Sequence, residues 1–207
     1  MKNAFLYLVT LLMMSCNSSS KLNQSYPDYD ETEILSKNKE HDNQRMRYKL
    51  VQSKVLDKNR LQKQILNQIK DFTEADYLRL KPLIFERSIP TIQEEISNGS
   101  LTYKQLTQWY LYRINKYEFD PNTSLHTIIA INPDAVAQAE IKDEIKNSST
   151  HLIYGMPILL KDNINTEGMN TTAGAVALKD NVTNDAFIVS KIKNKGALIL
   201  GKVNLSE

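Results

Sequence analysis

The chain has 207 residues, enough to bury a real core in one or two domains. Its 26 basic residues nearly balance 24 acidic ones, for a net charge of +2, and no basic block rises above that background, so a nucleic-acid partner is not expected. A single cysteine rules out an intramolecular disulfide, and His41, His126 and His151 lack metal-ligand spacing, so neither a metal nor another cofactor is expected.

Residues 1–16 begin Met1-Lys2-Asn3, run through an apolar stretch from Ala4 to Met14 and end in Ser15-Cys16. A basic start, an apolar run and a small residue before the cleavage point make a secretory signal over residues 1–15. The run is too short for a spanning helix, which needs about 20 residues. With Cys16 followed by Asn17-Ser18-Ser19-Ser20, this segment resembles a bacterial lipoprotein signal. That resemblance implies acylation of Cys16 on its sulfur and its amine. It also implies an exported protein, anchored in a membrane through lipid and facing the periplasm or the cell surface. Several acyl chains on one residue anchor stably, whereas one chain is marginal. Residues 16–45 are polar and charged, with Ile34 and Leu35 among few apolar side chains, and read as a flexible tether.

From Met46 to Lys70 the apolar residues Leu50, Val55, Leu56, Leu61, Ile65, Leu66 and Ile69 recur at helical steps. Residues 74–86 continue helical, with Pro82 marking a boundary or kink, so 46–87 forms a helical segment. Ser88-Ile89-Pro90-Thr91 opens another helix through Ile96, stopped by Asn98-Gly99. Thr102-x-x-Gln105 is a capping box. After it Tyr103, Leu106, Trp109, Tyr110, Ile114 and Tyr117 line one helix face, a stripe read as core rather than as a nucleic-acid surface. Leu125–Ile131 is β-prone. Asn132-Pro133-Asp134 then offers an N-cap, an N1 proline and a dipole-matched acid for a helix through about Ile145. Met156–Leu160 reads as a strand. Asp185 is expected to cap a helix carrying Ile188, Val189 and Ile192, closed at Gly196. Ala197–Leu200 is a continuous apolar run of the kind buried on both faces of a parallel sheet. Strands separated by helices give an α/β class: an α-helical N-terminal segment, then a mixed or mostly parallel sheet with covering helices and right-handed crossovers.

Lys161 stands at the mouth of the strand 156–160, a poor packing choice but a good place to keep a proton acceptor. The motifs around it are Gly155-Met156-Pro157-Ile158-Leu159-Leu160-Lys161-Asp162-Asn163-Ile164, then Thr171-Thr172-Ala173-Gly174, Asp185-Ala186, and Gly196-Ala197-Leu198-Ile199-Leu200-Gly201-Lys202 with Asn204-Leu205-Ser206-Glu207. In that order they resemble the opening part of the amidase signature family. Leu111-Tyr112-Arg113-Ile114, the Ile131–Ala135 turn and Ala139-Glu140 extend the likeness, which covers about residues 88–207. The resemblance implies an incomplete amidase signature fold over 88–207 and hydrolysis of the C–N bond of a small-molecule, non-peptide amide by a Ser–Ser–Lys triad, without cofactor. In that family a lysine at the position of Lys161 is the base, relaying through a serine in a cis peptide to the nucleophilic serine. The chemistry is sound, because a serine hydroxyl is a weak nucleophile until a neighbouring base takes its proton. An amine can be that base when desolvation populates its neutral form, and Ser–Lys sets are an alternative to Ser–His–Asp. Asp162 and Asn163 are expected to hold the lysine's loop by hydrogen bonds. Gly155, Pro157, Thr171, Thr172 and Gly174 read as turn and scaffold residues.

The family's Gly/Ser-rich segment, which carries both serines and the oxyanion-hole N–H groups, lies downstream of the Asn204–Glu207 motif. Ser190 falls on a predicted helix and Ser206 within the motif, so neither replaces those serines. Residues 1–207 alone are therefore expected to be inactive. An unpaired apolar sheet edge is expected after 197–203, with exposed helix faces. An alternative is a membrane-tethered, non-catalytic binding or interaction module on a partial amidase scaffold. An exported location argues against the family's tRNA-dependent branch, which works in the cytoplasm.

Overall fold

The computed structural model describes residues 25–27, 30, 32–47, 58–145 and 151–205. Cys16 and the signal segment, Leu50, Val55, Leu56 and Ser206 lie outside them. Among the described residues the helices are α1 (Thr32–Asn38), α2 (Lys58–Gln68), α3 (Glu74–Ile84), α4 (Ile89–Ser97), α5 (Tyr103–Glu118), α6 (Ala135–Ile145) and α7 (Phe187–Asn194). The strands are β1 (Ile128–Ile131), β2 (Pro157–Lys161) and β3 (Leu198–Val203). This is the expected α/β class, with α1 to α5 first and then a small mixed sheet whose strands are separated by α6 and α7.

Local chemistry sets several boundaries. Capping boxes open α3 and α5: the Thr73 and Thr102 hydroxyls accept the N–H groups of Asp76 and Gln105, whose side chains accept the threonine N–H groups in return. Ser88 caps α4, Pro90 lies in its first turn, and Asn98 closes it with an N–H bond to Glu94 O. Pro82 is tolerated inside the last turn of α3, which ends at Ile84. The helix expected from Met46 is seen only over Lys58–Gln68 among the described residues, with a short 3-10 turn at 44–46.

α5 is the hub of the helical layer, packing against α2, α3 and α6. Tyr77 stacks on Trp109 and Tyr112, with ring centroids 5.0 and 5.2 Å apart, and Trp109 Nε1 donates to Tyr77 O at 3.0 Å. The buried face of α5 is broader than the predicted stripe. Thr107, Gln108, Leu111, Tyr112 and Asn115 are buried as well, whereas Tyr117 is 40 % exposed. Neighbours on several sides widen the covered arc beyond what one apolar stripe reveals.

The sheet order is β1-β3-β2, with β3 antiparallel to β1 and parallel to β2. The expected free edge at 197–203 is thus corrected: β3 is the central strand, and β1 and β2 are the outer ones. Gly201 permits this pairing, because a Cβ there would lie 2.3 Å from Ala130 O. Asn132 ties the end of β1 to β3, donating from its backbone to Leu200 O and from its side chain to Ile199 O. Its Oδ1 accepts the Asp134 N–H, so Pro133 and Asp134 form a turn and α6 starts at Ala135.

Asp185 does not cap α7. Ala186 occupies the cap position without a side-chain bond, and the Asp185 carboxylate instead accepts from Thr166 Oγ1, Glu167 N and Lys193 Nζ at 3.1, 2.8 and 2.7 Å. Three donors from a loop and from α7 itself outcompete one helix-end amide. The predicted apolar face of α7 is also narrower, since Val189 is buried but Ile188 is exposed.

The tether reading of residues 16–45 is modified where the chain is described. Thr32–Asn38 is helical, and Tyr26 is fastened to the body. Tyr26 N donates to Asn59 Oδ1, and the Tyr26 carbonyl accepts from Asn59 Nδ2, at 2.9 and 3.0 Å. Its hydroxyl donates to Phe119 O, and its ring lies 6.0 Å from that of Phe119. A tyrosine offers both an apolar ring and a polar tip, which suits it to such a socket. No helix among the described residues is long and apolar enough to cross a membrane.

Candidate functional site

Lys161 is the last residue of β2 and is half-buried. Parallel pairing sets Leu160 beside Lys202 and Lys161 beside Val203. Strand alternation sends residues 158, 160 and 162 to one face and 159 and 161 to the other. Ile158 and Leu160 accordingly pack with Val189 and Ile199 beneath α7, while Leu159 is 40 % exposed.

Asp162 follows Lys161 directly and is turned to the covered face, with 0 % exposure. Its Oδ2 accepts the Thr172 N–H at 3.3 Å and the Thr172 hydroxyl, and its Oδ1 lies 3.3 Å from Lys202 Nζ. Lys202 is also 0 % exposed and donates to Thr171 Oγ1 at 3.0 Å. Burial pushes the Lys202 ammonium below the usual lysine range, and the Asp162 charge and hydrogen bond oppose that shift. Either charge alone would be very costly in this interior, so each is tolerated because the other is present; Thr172 serves Asp162 Oδ2, whereas Oδ1 has the 3.3 Å ion pair with Lys202 but no hydrogen bond of good geometry. Backbone bonds brace the same turn. Asp162 N donates to Val203 O, Ile164 N to Lys161 O and Ala173 N to Asp162 O, at 2.9, 2.9 and 3.1 Å. The result is a strand end clamped from three directions, with a lysine projecting from the opposite face.

The structure therefore gathers Asp162, Thr171 and Thr172 into one node beside Lys161. Asn163 lies at the same turn with an exposed side chain. Pro157 opens β2, and Gly174 N donates to Thr172 Oγ1 at 3.2 Å. Gly155 is required by space as well as by its φ of +69°, because a Cβ would lie 2.1 Å from the Tyr103 ring at the start of α5. Ser190 is on α7 and Cys16 lies outside the described residues, so neither joins the node.

Lys202 is the residue that sequence reasoning passed over, quoting it only as one position of a motif. Its signal was a lysine two positions beyond the apolar run 197–200, in a strand covered on both faces. Such a lysine needs a buried acid, and only the register of β2 against β3 reveals Asp162 as that acid.

A separate cavity of about 610 Å³ is lined by residues including Ile141, Lys142, Ile145, Tyr154, Met169 and Ile199; neither Lys161 nor Asp162 borders it. Burial pushes the Lys142 ammonium down. Among the described residues no three His, Cys, Asp or Glu side chains gather in a way that could hold a metal ion.

Residues 105–207 match the family model described as Amidase. A probable amidase of Arabidopsis thaliana is 43 % identical over 153 residues, covering 69 % of this chain and 29 % of that protein. A glutamyl-tRNA(Gln) amidotransferase polypeptide of Exiguobacterium sibiricum is 31 % identical over 125 residues, covering 60 % of this chain and 25 % of its own. Among solved structures, an amidase family protein from Bacillus anthracis superposes with a TM-score of 0.68 at 34 % identity, covering 73 % of this chain and 30 % of that one. The native peptide amidase of Stenotrophomonas maltophilia gives 0.56 at 38 % identity, over 59 % of this chain and 26 % of its own. The chain thus spans between 25 % and 30 % of the length of these relatives. In sequence and in fold, residues 105–207 are similar to the opening part of amidase family proteins, and Lys161 and its buried companions at the end of β2 fall within the matched stretch.

Proposed function

We propose that this chain supplies the N-terminal part of an amidase that hydrolyses carboxamide C–N bonds, with Lys161 as the base of a Ser–Ser–Lys relay. The observation that carries the reading is the half-buried Lys161 ending a strand whose next residue is clamped into the interior. The Lys161 amine takes a proton from a bridging serine, which takes one from the nucleophilic serine as that oxygen attacks the amide carbonyl. The proton returns to the departing amine, and water then releases the acyl group by the same relay. In this reading both serines come from a segment other than residues 1–207, and residues 1–207 by themselves are expected not to turn over amides. The substrate is a small-molecule amide rather than a tRNA-bound one, in keeping with an exported location.

The test joins residues 1–207 to the remaining segment of the Bacillus anthracis relative and measures ammonia release from a panel of primary amides. Turnover is expected only in the joined protein, and Lys161→Ala should lower it by about 10²–10⁴-fold. Turnover by residues 1–207 alone, or an unaffected alanine variant, would overturn the reading. The lipid anchor is part of the same proposal. Mass spectrometry of the native N-terminus should find Cys16 acylated and first in the mature chain, and an unmodified Cys16 would remove the anchor.

A further inference from the structure

We infer that Lys202 is a positioning residue for Lys161, acting through the carboxylate of Asp162. The inference rests on the reading of Lys161 as the base.

Lys202 is the only lysine among the described residues with no exposed surface, and its ammonium has two visible tasks. It meets Asp162 Oδ1 at 3.3 Å and Thr171 Oγ1 at 3.0 Å. Asp162 is bonded through its peptide to Lys161, so the direction of its side chain governs the orientation of the strand end. Held inward by Lys202 and by two donors of Thr172, the carboxylate fixes residue 162 on the covered face. Alternation then fixes Lys161 on the other face.

The arrangement also keeps apart two groups that would otherwise attract each other. A carboxylate one residue from a lysine is a ready partner for its ammonium, and a turn of the acid toward it would move the amine. Lys202 pairs with that acid at 3.3 Å on the far side of the strand. Without Lys202, Asp162 would be a buried charge with only Thr172 to solvate it, and the turn 161–164 would have to open or redirect the acid. A neutral side chain of similar volume could fill the space of Lys202, but it could not hold the carboxylate.

The first measurement uses residues 1–207 and does not depend on turnover. Each lysine amine of the folded chain is acylated by a small amine-reactive ester, and its rate is read by mass spectrometry. Lys202→Met should slow Lys161 by at least about fivefold relative to Lys104 and Lys116. Lys202→Met combined with Asp162→Asn removes the acid together with its holder, and should return Lys161 to within about twofold of the parent. A purely space-filling or loop-tying role for Lys202 predicts no such return. Unchanged Lys161 labelling in Lys202→Met, or a double variant as slow as the single, overturns the inference.

Should Lys202→Met not fold, Thr171→Val decides. It removes one of the two groups holding Lys202 without stranding a charge, and should slow Lys161 by about twofold to threefold; an unchanged rate overturns the inference. In the joined enzyme the same variants should lower kcat with KM unaltered, since the group moved is not a substrate contact. Failure of the base reading appears separately, as a Lys161→Ala enzyme with normal turnover, and leaves the labelling result standing.

Discussion

The core around α5 and the Asp162–Lys202 pair at the strand end are both buried, yet they are held by opposite means. Around α5, Trp109, Tyr77, Tyr112 and Leu106 share many nonpolar contacts, and no one neighbour is indispensable. At the strand end, Lys202, Asp162, Thr171 and Thr172 have few partners, and each charge depends on one other. Loss in the first region scales with the volume removed. Loss in the second scales with what is left unpaired, so a second removal can repair the first.

The strongest challenge to this contrast is a pair of deletions. Trp109→Ala should lower the free energy of unfolding by about 3–5 kcal/mol, measured by urea denaturation, and no single partner change should recover it. Lys202→Met should cost a comparable amount, about 3–5 kcal/mol, because it strands Asp162. Adding Asp162→Asn should bring stability back to within about 2 kcal/mol of the parent. If the double variant is no better than Lys202→Met, the node is held by packing, and the two regions do not differ in kind.

Smaller effects sharpen the comparison at the boundaries. Gly201→Ala should destabilise by about 1–3 kcal/mol, because its Cβ meets the backbone oxygen of Ala130 at 2.3 Å and that atom belongs to a paired strand. An unchanged melting curve would show that β1 can shift away from β3. Thr102→Ala removes one arm of the α5 capping box and should cost about 1 kcal/mol.

The weakest effect is a pH dependence at the start of α3. Bonds from the Thr73 hydroxyl and N–H, then from Arg79, hold the Asp76 carboxyl down to about 2. A depressed carboxyl contributes stability that is complete above its unfolded value of about 3.9 and lost as pH falls through the folded one. The contribution is therefore present at pH 5 and largely gone near pH 2. Solvent screening at this exposed site limits it to less than about 1 kcal/mol. Urea titrations at both pH values should show Asp76→Asn differing from the parent at pH 5 and converging with it near pH 2.

Much of the local architecture was legible because its causes lie within a few residues. Thr102 and Gln105, or Ser88 and Pro90, mark helix starts whatever the rest of the chain does, since the amides they serve are their own neighbours. Lys161 was legible for a related reason: a charge ending an apolar run is visible without knowing the register. Asp185 misled because its alternatives, Lys193 and the Glu167 amide, come together only after folding. The α5 stripe was drawn too narrow because α2, α3 and α6 cover it from several sides.

The sequence by itself determined the order and kind of the elements from Lys58 onward, the strand-end position of Lys161 and the amidase-family likeness of residues 88–207. These depend on short-range periodicity, capping chemistry and motif order. Only the tertiary structure decided that β3 is the central strand, that Tyr26 is fastened against α2 and the end of α5, and that Lys202 and Asp162 share one buried site. Each of those joins residues from 33 to 93 positions apart or strands whose register no local pattern specifies. The energy that selects them comes from burial and charge pairing across that separation.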